Sequence, residues 1–133
     1  MAFEIHDAGL AFPGIAASNV QPGQVVSLAA GTERGIAPCA SNNLRPFGVA
    51  FGVATQGDAV TVHAIGNIVK TTANASVGVG AEVTVASGSA TGVALVAVAS
   101  GSERWSVGQT VTAAAAGETL SVYVHPRQLG LLA

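Results

Sequence analysis

The chain has 133 residues, enough for one domain with a substantial hydrophobic core, and its formal net charge is −2. Only 9% of the residues are Asp, Glu, Lys or Arg, compared with roughly 25% in an average soluble domain. A chain with so few positive charges has no basic surface that could bind a phosphate backbone, so we expect no nucleic acid partner. So little charge predicts that other proteins or copies of the chain cover much of the surface; a surface hydrated by Ser, Thr, Asn and Gln is the alternative.

Three further observations restrict the class of protein. The longest plain apolar run, residues 93–99, is far shorter than the ~20 residues that a membrane-spanning helix needs, so we expect no membrane partner. The first residues lack the basic and apolar regions of a signal peptide, which predicts synthesis in a cytoplasm. Cys39 is the single cysteine, which excludes an intrachain disulfide and favours a small buried hydrophobe.

Residues 1–19 are predicted to form an extended N-terminal arm, because their apolar residues follow no sustained period and are interrupted by Gly9 and Pro13. Disordered segments contain few aromatic residues, yet two of the four phenylalanines lie here. We therefore expect the arm to dock on a neighbouring subunit or another protein; packing along its own domain is the alternative. The apolar residues of the arm are Phe3, Ile5, Leu10, Phe12 and Ile15.

Turn signals divide the next part of the chain into short strands. Gln21-Pro22-Gly23 suits a type II turn, with Pro at the second position and Gly at the third. From Phe47 to Val53 every second residue is bulky, and the residues between them are Gly and Ala. The bulky face is expected in the core, while the bare face permits close approach of another backbone. The predicted strands of this half are residues 25–29, 36–40, 47–54, 60–65 and 68–72.

A joint between two halves is predicted at residues 72–76. Turn signals spaced about 8 to 12 residues apart, without a run of helical period, predict an all-β fold, a small β-sandwich or barrel-like domain. This single domain would span residues 20–127, and the apolar tail at 128–133 is a further candidate for packing on a neighbour. The predicted strands of the second half are residues 82–85, 93–99, 105–111 and 120–124.

Phrases of the first half recur in the second. Gly57-Asp58 opens a run that returns at Gly117-Glu118, and in both copies the Gly suits a turn with positive φ. The segments that begin at Phe47 and Trp105 share an alternating pattern, at a slightly smaller separation along the chain. Matches in the same order predict an internal duplication, with chance matching in a chain rich in Gly, Ala and Val as the alternative.

A looser match aligns residues 23–26 with residues 80–83. The pseudo-repeats are therefore placed at about 20–72 and 77–125. Drifting offsets of this kind are expected when small insertions follow an old duplication.

No constellation of catalytic or metal-binding residues emerges from the spacing. Asp58 and Glu118 are near-matched carboxylates, but both follow turn glycines and are explained as turn residues. His63 and His125 occupy nearly equivalent places in the two halves, which favours a structural use over catalysis. No nucleophile elbow, phosphate loop or dinucleotide fingerprint is present, so we expect no enzymatic activity, no metal and no other cofactor.

Several of these segments together are similar to a known family. A Pro-Gly turn precedes a Val-rich strand at residues 22–26, Phe47-Gly48-Val49-Ala50 follows, and the run 115–122 closes on His125-Pro126-Arg127. Over residues 20–127 the chain resembles the capsid decoration proteins, also called head-stabilising or cement proteins, of tailed bacteriophages. The resemblance implies a β-sandwich or barrel-like protein, often trimeric, that binds the outside of an expanded capsid and clamps neighbouring major capsid subunits without catalysis.

We therefore expect a homotrimer on the capsid exterior, made in the host cytoplasm, with the major capsid protein as its partner. Another virion module, of a tail tube, baseplate or fibre, is the alternative. A carbohydrate-binding module and a small hydrolase using Asp58, Glu118 or Cys39 are further rivals. The candidate contacts with the capsid or between subunits are Phe3, Ile5, Leu10, Phe12, Ile15, Arg45, Trp105, Leu131 and Leu132.

Overall fold

The computed structural model describes residues 9–39, 45–85, 94–97 and 104–129, and within them the chain forms ten β-strands and no helix. The predicted all-β fold is confirmed. The strands of the first half are β1 (Ala11–Ala16), β2 (Val25–Leu28), β3 (Gly35–Pro38), β4 (Gly48–Ala50) and β5 (Ala59–His63). Those of the second half are β6 (Ile68–Ala73), β7 (Glu82–Val85), β8 (Ala94–Ala97), β9 (Arg104–Thr110) and β10 (Thr119–Leu129).

The strands close two barrels of the same topology. The first barrel has the strand order β1-β3-β2-β4-β5, and the second has the order β10-β6-β8-β7-β9. In each barrel the first and third strands are parallel, and the other pairs are antiparallel. Every strand pair of the first barrel thus has a counterpart in the second, as an internal duplication produces.

Backbone bridges outside the strands fix the register between the two copies. The bridge between Val20 and Ala54 recurs between Val77 and Ala114, so the separation of equivalent residues is larger late in the repeat than early in it. The separation grows mainly because six residues lie between β2 and β3, whereas eight lie between β7 and β8. Small insertions therefore account for the drifting offsets in the sequence.

The recurring Gly-acid pairs form equivalent turns ahead of β5 and β10. Gly57 and Gly117 have φ values of 94° and 84°, a region that glycine adopts without the clash of a Cβ. The carboxylates of Asp58 and Glu118 each accept a hydrogen bond from the backbone N–H three residues earlier, at 3.2 and 2.7 Å. The assignment of both acids to turns is confirmed.

Removal of the Glu118 acceptor should lower the free energy of unfolding by about 1 kcal/mol, because the N–H of Ala115 would lose its partner in an exposed turn. We expect Glu118→Ala to show this loss in urea denaturation. Glu118→Gln keeps an acceptor oxygen and should lose half as much or less. Equal losses in the two variants would contradict the role of this hydrogen bond.

The joint predicted at residues 72–76 lies inside the second barrel. β6 pairs with β10 through Thr72 and Thr119, and with β8 through Thr72 and Ala94. Residues 72 and 73 belong to β6, whose side chains alternate between exposed and buried positions, and residues 74–76 follow this strand. The barrels are joined instead by the turn at residues 64–67, so the copies run from β1 to β5 and from β6 to β10.

Residues 11–16 of the predicted N-terminal arm are strand β1 of the first barrel. β1 pairs with β5 over five consecutive residues and closes the barrel. The Phe12 ring meets the Phe47 ring edge-on, with centroids 4.9 Å apart, and both pack against the core of this barrel. The arm prediction is wrong for these residues, because their backbone groups are paired within their own domain. Residues 1–8 lie outside the described residues.

The strand predicted at residues 47–54 ends after three strand residues, where the chain bends. Phe51 and Val53 are consequently 51% and 76% exposed, instead of lying in the core. Alternation assigns residues to one face only while the chain stays in the sheet. The close approach expected on the bare face occurs at Gly48, where a Cβ would lie 2.6 Å from the carbonyl oxygen of His63, and not at Gly52, where a Cβ would meet no described atom within 4 Å.

The repeat register also separates the two histidines. Val49 pairs with His63, and its counterpart Gln109 pairs with Tyr123. His63 therefore corresponds to Tyr123 and not to His125. His125 lies two positions beyond this counterpart, so the two histidines are near each other in the repeat but are not equivalent.

β10 is longer than the predicted strand 120–124. It continues past a bulge between Val124 and Arg127 and pairs with β9 as far as Leu129. The first two residues of the predicted tail therefore belong to a strand of the second barrel. Residues 130–133 lie outside the described part of the chain.

Each barrel has its own core, and the second core reaches into the first barrel. Three residues of the first barrel, Val25, Cys39 and Val49, pack with the interior residues of the second barrel. The neighbouring Val26 belongs to the first core, so alternation places Val25 on the outer face of the first barrel. Cys39 is buried, which confirms its assignment as a small buried hydrophobe.

Candidate functional site

The contact between the barrels centres on one turn of the first barrel and strand β6 of the second. The hydroxyl of Thr71 donates a hydrogen bond to the carbonyl oxygen of Gly23 at 3.1 Å. A Cβ on Gly23 would lie 3.4 Å from the carbonyl oxygen of Lys70, so the turn lies close to the β6 backbone. β8 pairs with β6 only from Thr72 onward. The first barrel therefore covers a part of β6 that β8 leaves unpaired.

Asn67 joins the two barrels at their connecting turn. Its side chain is fully buried, and its Nδ2 donates to the carbonyl oxygens of Leu10 at 2.8 Å and Ala64 at 3.2 Å. The carbonyl oxygen of Asn67 accepts a hydrogen bond from the N–H of Val124 at 2.8 Å. One residue thus ties the two ends of the first barrel to the last strand of the second.

A cleft of about 320 Å³ lies beside this contact. Phe51 and the buried His63 line it from the first barrel, and Lys70 and neighbouring threonines line it from the second. Among the described lining residues there is no Asp or Glu, and the described chain holds no group of three or more potential metal ligands. The cleft therefore offers hydroxyls, an imidazole and one ammonium group, without the paired carboxylates that glycoside hydrolysis uses.

A second, more apolar groove of about 490 Å³ opens where the first barrel meets the connecting turn. Leu10, Leu28 and Ile65 line it and are 49%, 59% and 48% exposed. Arg45 also lines the groove, and its guanidinium carbon lies 5.3 Å from the centre of the Trp105 ring of the second barrel. Half-exposed apolar side chains beside one arginine and one tryptophan have the composition of a protein-contact surface.

The structure brings three of the predicted contact residues to this groove. Leu10 and Arg45 line it, and Trp105 lies beside Arg45. Phe12 packs against the core of the first barrel, and alternation along β1 places Ile15 on the opposite face from Phe12. The other four predicted contact residues lie outside the described residues; these are Phe3, Ile5, Leu131 and Leu132.

Sequence reasoning missed Leu28, Ile65 and Asn67. Leu28 and Ile65 were predicted only as strand residues, and nothing local indicates that the ends of these strands border a groove. Asn67 was assigned to a turn from Gly66-Asn67, which is correct, but the turn signal carries no information about a fully buried side chain.

The second barrel carries a polar cluster formed by Glu82, Ser106, Gln109 and Arg127. The Glu82 carboxylate accepts hydrogen bonds from the hydroxyl of Ser106 at 2.8 Å and from Nε of Arg127 at 2.7 Å, and it forms an ion pair with Arg127. Gln109 lies opposite Glu82 in the ladder and donates a long hydrogen bond of 3.4 Å to the carbonyl oxygen of Gly80. The polar cluster thus spans strands β7, β9 and β10.

The residues considered for a hydrolase are engaged elsewhere in the fold. Asp58 and Glu118 accept hydrogen bonds within the turns of two different barrels. Cys39 lies in the core shared by the barrels. The structure does not bring these three residues together as one site.

Among the described residues, no helix has the length and apolar character needed to cross a membrane. No family model matches the chain, and no curated protein matches it. A solved structure with a similar fold is the head fiber gp8.5 N base in bacteriophage phi29, which is 22% identical in sequence. The match has a TM-score of 0.62 and covers 87% of this chain and 93% of that chain. At this identity the likeness shows that the two chains share a fold over most of their length.

Proposed function

We propose that the chain is a structural protein of a tailed-phage virion and binds the outer surface of the capsid. The observation that carries the proposal is the likeness of its fold to a phage head fibre base over most of both chains. A fold by itself hosts many functions, so the surface of this chain has to support the same conclusion.

The surface supports a protein that functions in contact with other proteins. Only 9% of the residues are charged. Within the described part, seven large apolar side chains are exposed, and three of them, Leu10, Leu28 and Ile65, line one groove. A concentration of exposed apolar area in one place marks an interaction surface more often than a solvated one. We propose this groove as the contact with the major capsid protein.

The proposed action is to stabilise the expanded head by clamping neighbouring major capsid subunits. A protein that binds only the assembled shell stabilises it by RT ln(1 + [L]/Kd), and many bound copies multiply a modest contact. A homotrimer would present three grooves at once and raise the avidity for a symmetric shell. The proposal requires no catalysis and no cofactor.

A base or other component of a head fibre is the second candidate. The similarity to a head fibre base favours it over a tail-tube or baseplate component. Both candidates attach to the capsid exterior, and they differ in whether a fibre is mounted on the chain.

Co-sedimentation with phage heads tests the proposal. Expanded heads stripped of accessory proteins should bind the purified chain saturably and resist heat better afterwards, whereas unexpanded proheads should not bind it. Binding without any gain in head stability would favour the fibre component. If the chain binds neither form and is found in tails by mass spectrometry, the proposed function is wrong.

Leu28→Asp should weaken binding to expanded heads tenfold or more, because it places a charge in the apolar groove. The matched control is Val53→Asp, which adds the same charge at a residue that is 76% exposed and does not line the groove. Binding isotherms from co-sedimentation measure the affinity of both variants for expanded heads, and melting temperatures show whether each variant folds. Equal binding of the two folded variants would contradict the assignment of the groove.

The trimer is tested by sedimentation velocity of the purified chain. We expect a single species with three times the mass of one chain. A species with the mass of one chain at all concentrations would overturn the trimer. Capsid binding would still be tested separately by co-sedimentation.

A further inference from the structure

The face of the first barrel that packs on β6 has a structural counterpart on the second barrel. Val25 lies opposite Val49 in the first barrel, and Glu82 lies opposite Gln109 at the same place in the second. The adjoining turns also correspond, since Gly23 and Gly80 have φ values of 78° and 79°. The duplication has therefore produced two copies of one docking face.

Among the residues that the structure describes, contacts cover only the first copy of this face. The turn at Gly23 touches β6 and accepts the hydroxyl of Thr71. A Cβ placed on Gly78 or Gly80 would meet nothing within 4 Å, and Val79 between them is 70% exposed. In the described part of the chain, the second copy of the face is thus left open.

The two copies of the docking face differ in chemistry. The copy that packs against the other barrel is apolar, and the second copy is polar. Val25 and Val49 are buried in the contact between the barrels. Their counterparts Glu82 and Gln109 belong to the polar cluster, in which Arg127 and Ser106 satisfy the Glu82 carboxylate.

The amide of Gln109 replaces the missing partner of the turn. It donates to the carbonyl oxygen of Gly80, which is the counterpart of the Gly23 oxygen that accepts Thr71 from the other barrel. The second barrel therefore satisfies with its own side chain a group that the first barrel satisfies through a neighbour.

The strand that receives the neighbouring barrel also differs between the two copies. Lys70 and Thr71 hold the places in β6 that Pro13 and Gly14 hold in β1, as the pairing of these strands with β10 and β5 shows. Gly14 has no hydroxyl to donate, and Pro13 has no N–H on a strand segment that β3 does not pair. The first barrel therefore lacks the hydroxyl through which β6 binds the turn of the neighbouring barrel.

We propose that the polar cluster is a cap that ends the stack at two barrels, and that Pro13 and Gly14 block the opposite end. Repeat proteins need terminal units with a polar outer face, because an uncapped docking face binds the matching face of another molecule head to tail. The proposal does not depend on the function proposed above. It assigns the Glu82, Gln109 and Arg127 side chains to preventing head-to-tail stacking of copies of this chain.

Four variants of the full chain test the cap. The double substitution Glu82→Val and Gln109→Val restores the apolar docking face, and Pro13→Lys with Gly14→Thr restores the receiving strand. A third chain carries all four substitutions. The control carries Thr55→Val and Gln56→Val, which add two valines at exposed positions in the turn before β5. Melting curves establish whether each variant folds. If the chain with Pro13→Lys and Gly14→Thr does not fold, the chain with Pro13→Lys alone takes its place.

Sedimentation velocity from about 1 to about 100 µM then measures head-to-tail association. We expect the chain with all four substitutions to form species that grow with concentration, in multiples of the wild-type mass. An equimolar mixture of the two single-end variants should stop at one end-to-end pair. Wild-type mass for the four-substitution chain at every concentration, or equal growth of the control, would overturn the proposal.

Discussion

Gly108→Ala is expected to lower the free energy of unfolding by about 3 kcal/mol or more. A Cβ at residue 108 would overlap the carbonyl oxygen of Tyr123 and lie 3.0 Å from the backbone nitrogen of His125. Both groups belong to the backbone of β10, which pairs with β9 on either side of this point. Relief of the overlap therefore requires movement of the ladder that closes the second barrel.

Urea denaturation with two further glycine variants checks this expectation. Gly78→Ala is the control, since its Cβ would meet no atom of the described residues within 4 Å, and its stability should stay within about 0.5 kcal/mol of wild type. Gly48→Ala probes the counterpart position in the first barrel, where the carbonyl oxygen of His63 is 2.6 Å away, and it should also be strongly destabilised. A Gly108→Ala chain as stable as Gly78→Ala would contradict the close approach of β9 and β10.

The second large effect is expected at the joint between the barrels. Asn67→Asp should lower the free energy of unfolding by about 3 kcal/mol or more, and Asn67→Ala by about 2 kcal/mol. The aspartate would place a buried charge against the carbonyl oxygens of Leu10 and Ala64, to which Asn67 now donates. No described group donates to the Oδ1 atom of Asn67, so the new carboxylate would gain no compensating hydrogen bond.

Asn19→Asp is the matched control for this variant. Asn19 is exposed, and its Oδ1 accepts a hydrogen bond from the N–H of Gln56 at 3.1 Å, which a carboxylate oxygen would also accept. Its urea midpoint should remain close to that of wild type. Acidification should reduce the difference in the free energy of unfolding between Asn67→Asp and Asn67→Ala, because a protonated carboxyl donates one hydrogen bond. Equal stability of Asn67→Asp and wild type at neutral pH would show that the joint tolerates a charge.

The turns were predictable from sequence because their chemistry is local. Gly57 with Asp58 and Gly117 with Glu118 contain, within four residues, both the positive φ and the carboxylate acceptor that the turn needs. The type II turn at Gly23 is likewise set by Pro22 before it, and its φ of 78° confirms it. The all-β fold followed from the spacing of such turns.

The assignment of residues to faces was less predictable because it depends on partners distant in sequence. Phe51 and Val53 continue the alternation of β4, yet the chain has already left the sheet, so they are exposed. Phe12 lies in an irregular, Gly- and Pro-containing segment, and only the pairing of β1 with β5 reveals its place against the core. Alternation gives the period of a strand and not its length.

The candidate site shows the same limit. Arg45 and Leu10 were singled out from their local context, and both line the apolar groove. The polar cluster was not anticipated, although the match of residues 23–26 with residues 80–83 already aligns Val25 with Glu82. The sequence match does not show that Val25 is buried against the other barrel, and only that contact gives the exchange of Val for Glu its significance.

The closure of each barrel by its first and last strands has a consequence for how the chain folds during synthesis. The partners of these closing pairs are about 50 residues apart in sequence, and such non-local contacts slow folding relative to hairpins. The N-terminal barrel has all its strands once β5 has been made, but Val25 and Val49 then remain uncovered. β6 follows β5 after only a short turn, so the strand that covers this apolar face is the next one to leave the ribosome. The order of elements along the chain thus limits how long a nascent molecule exposes a surface that promotes aggregation.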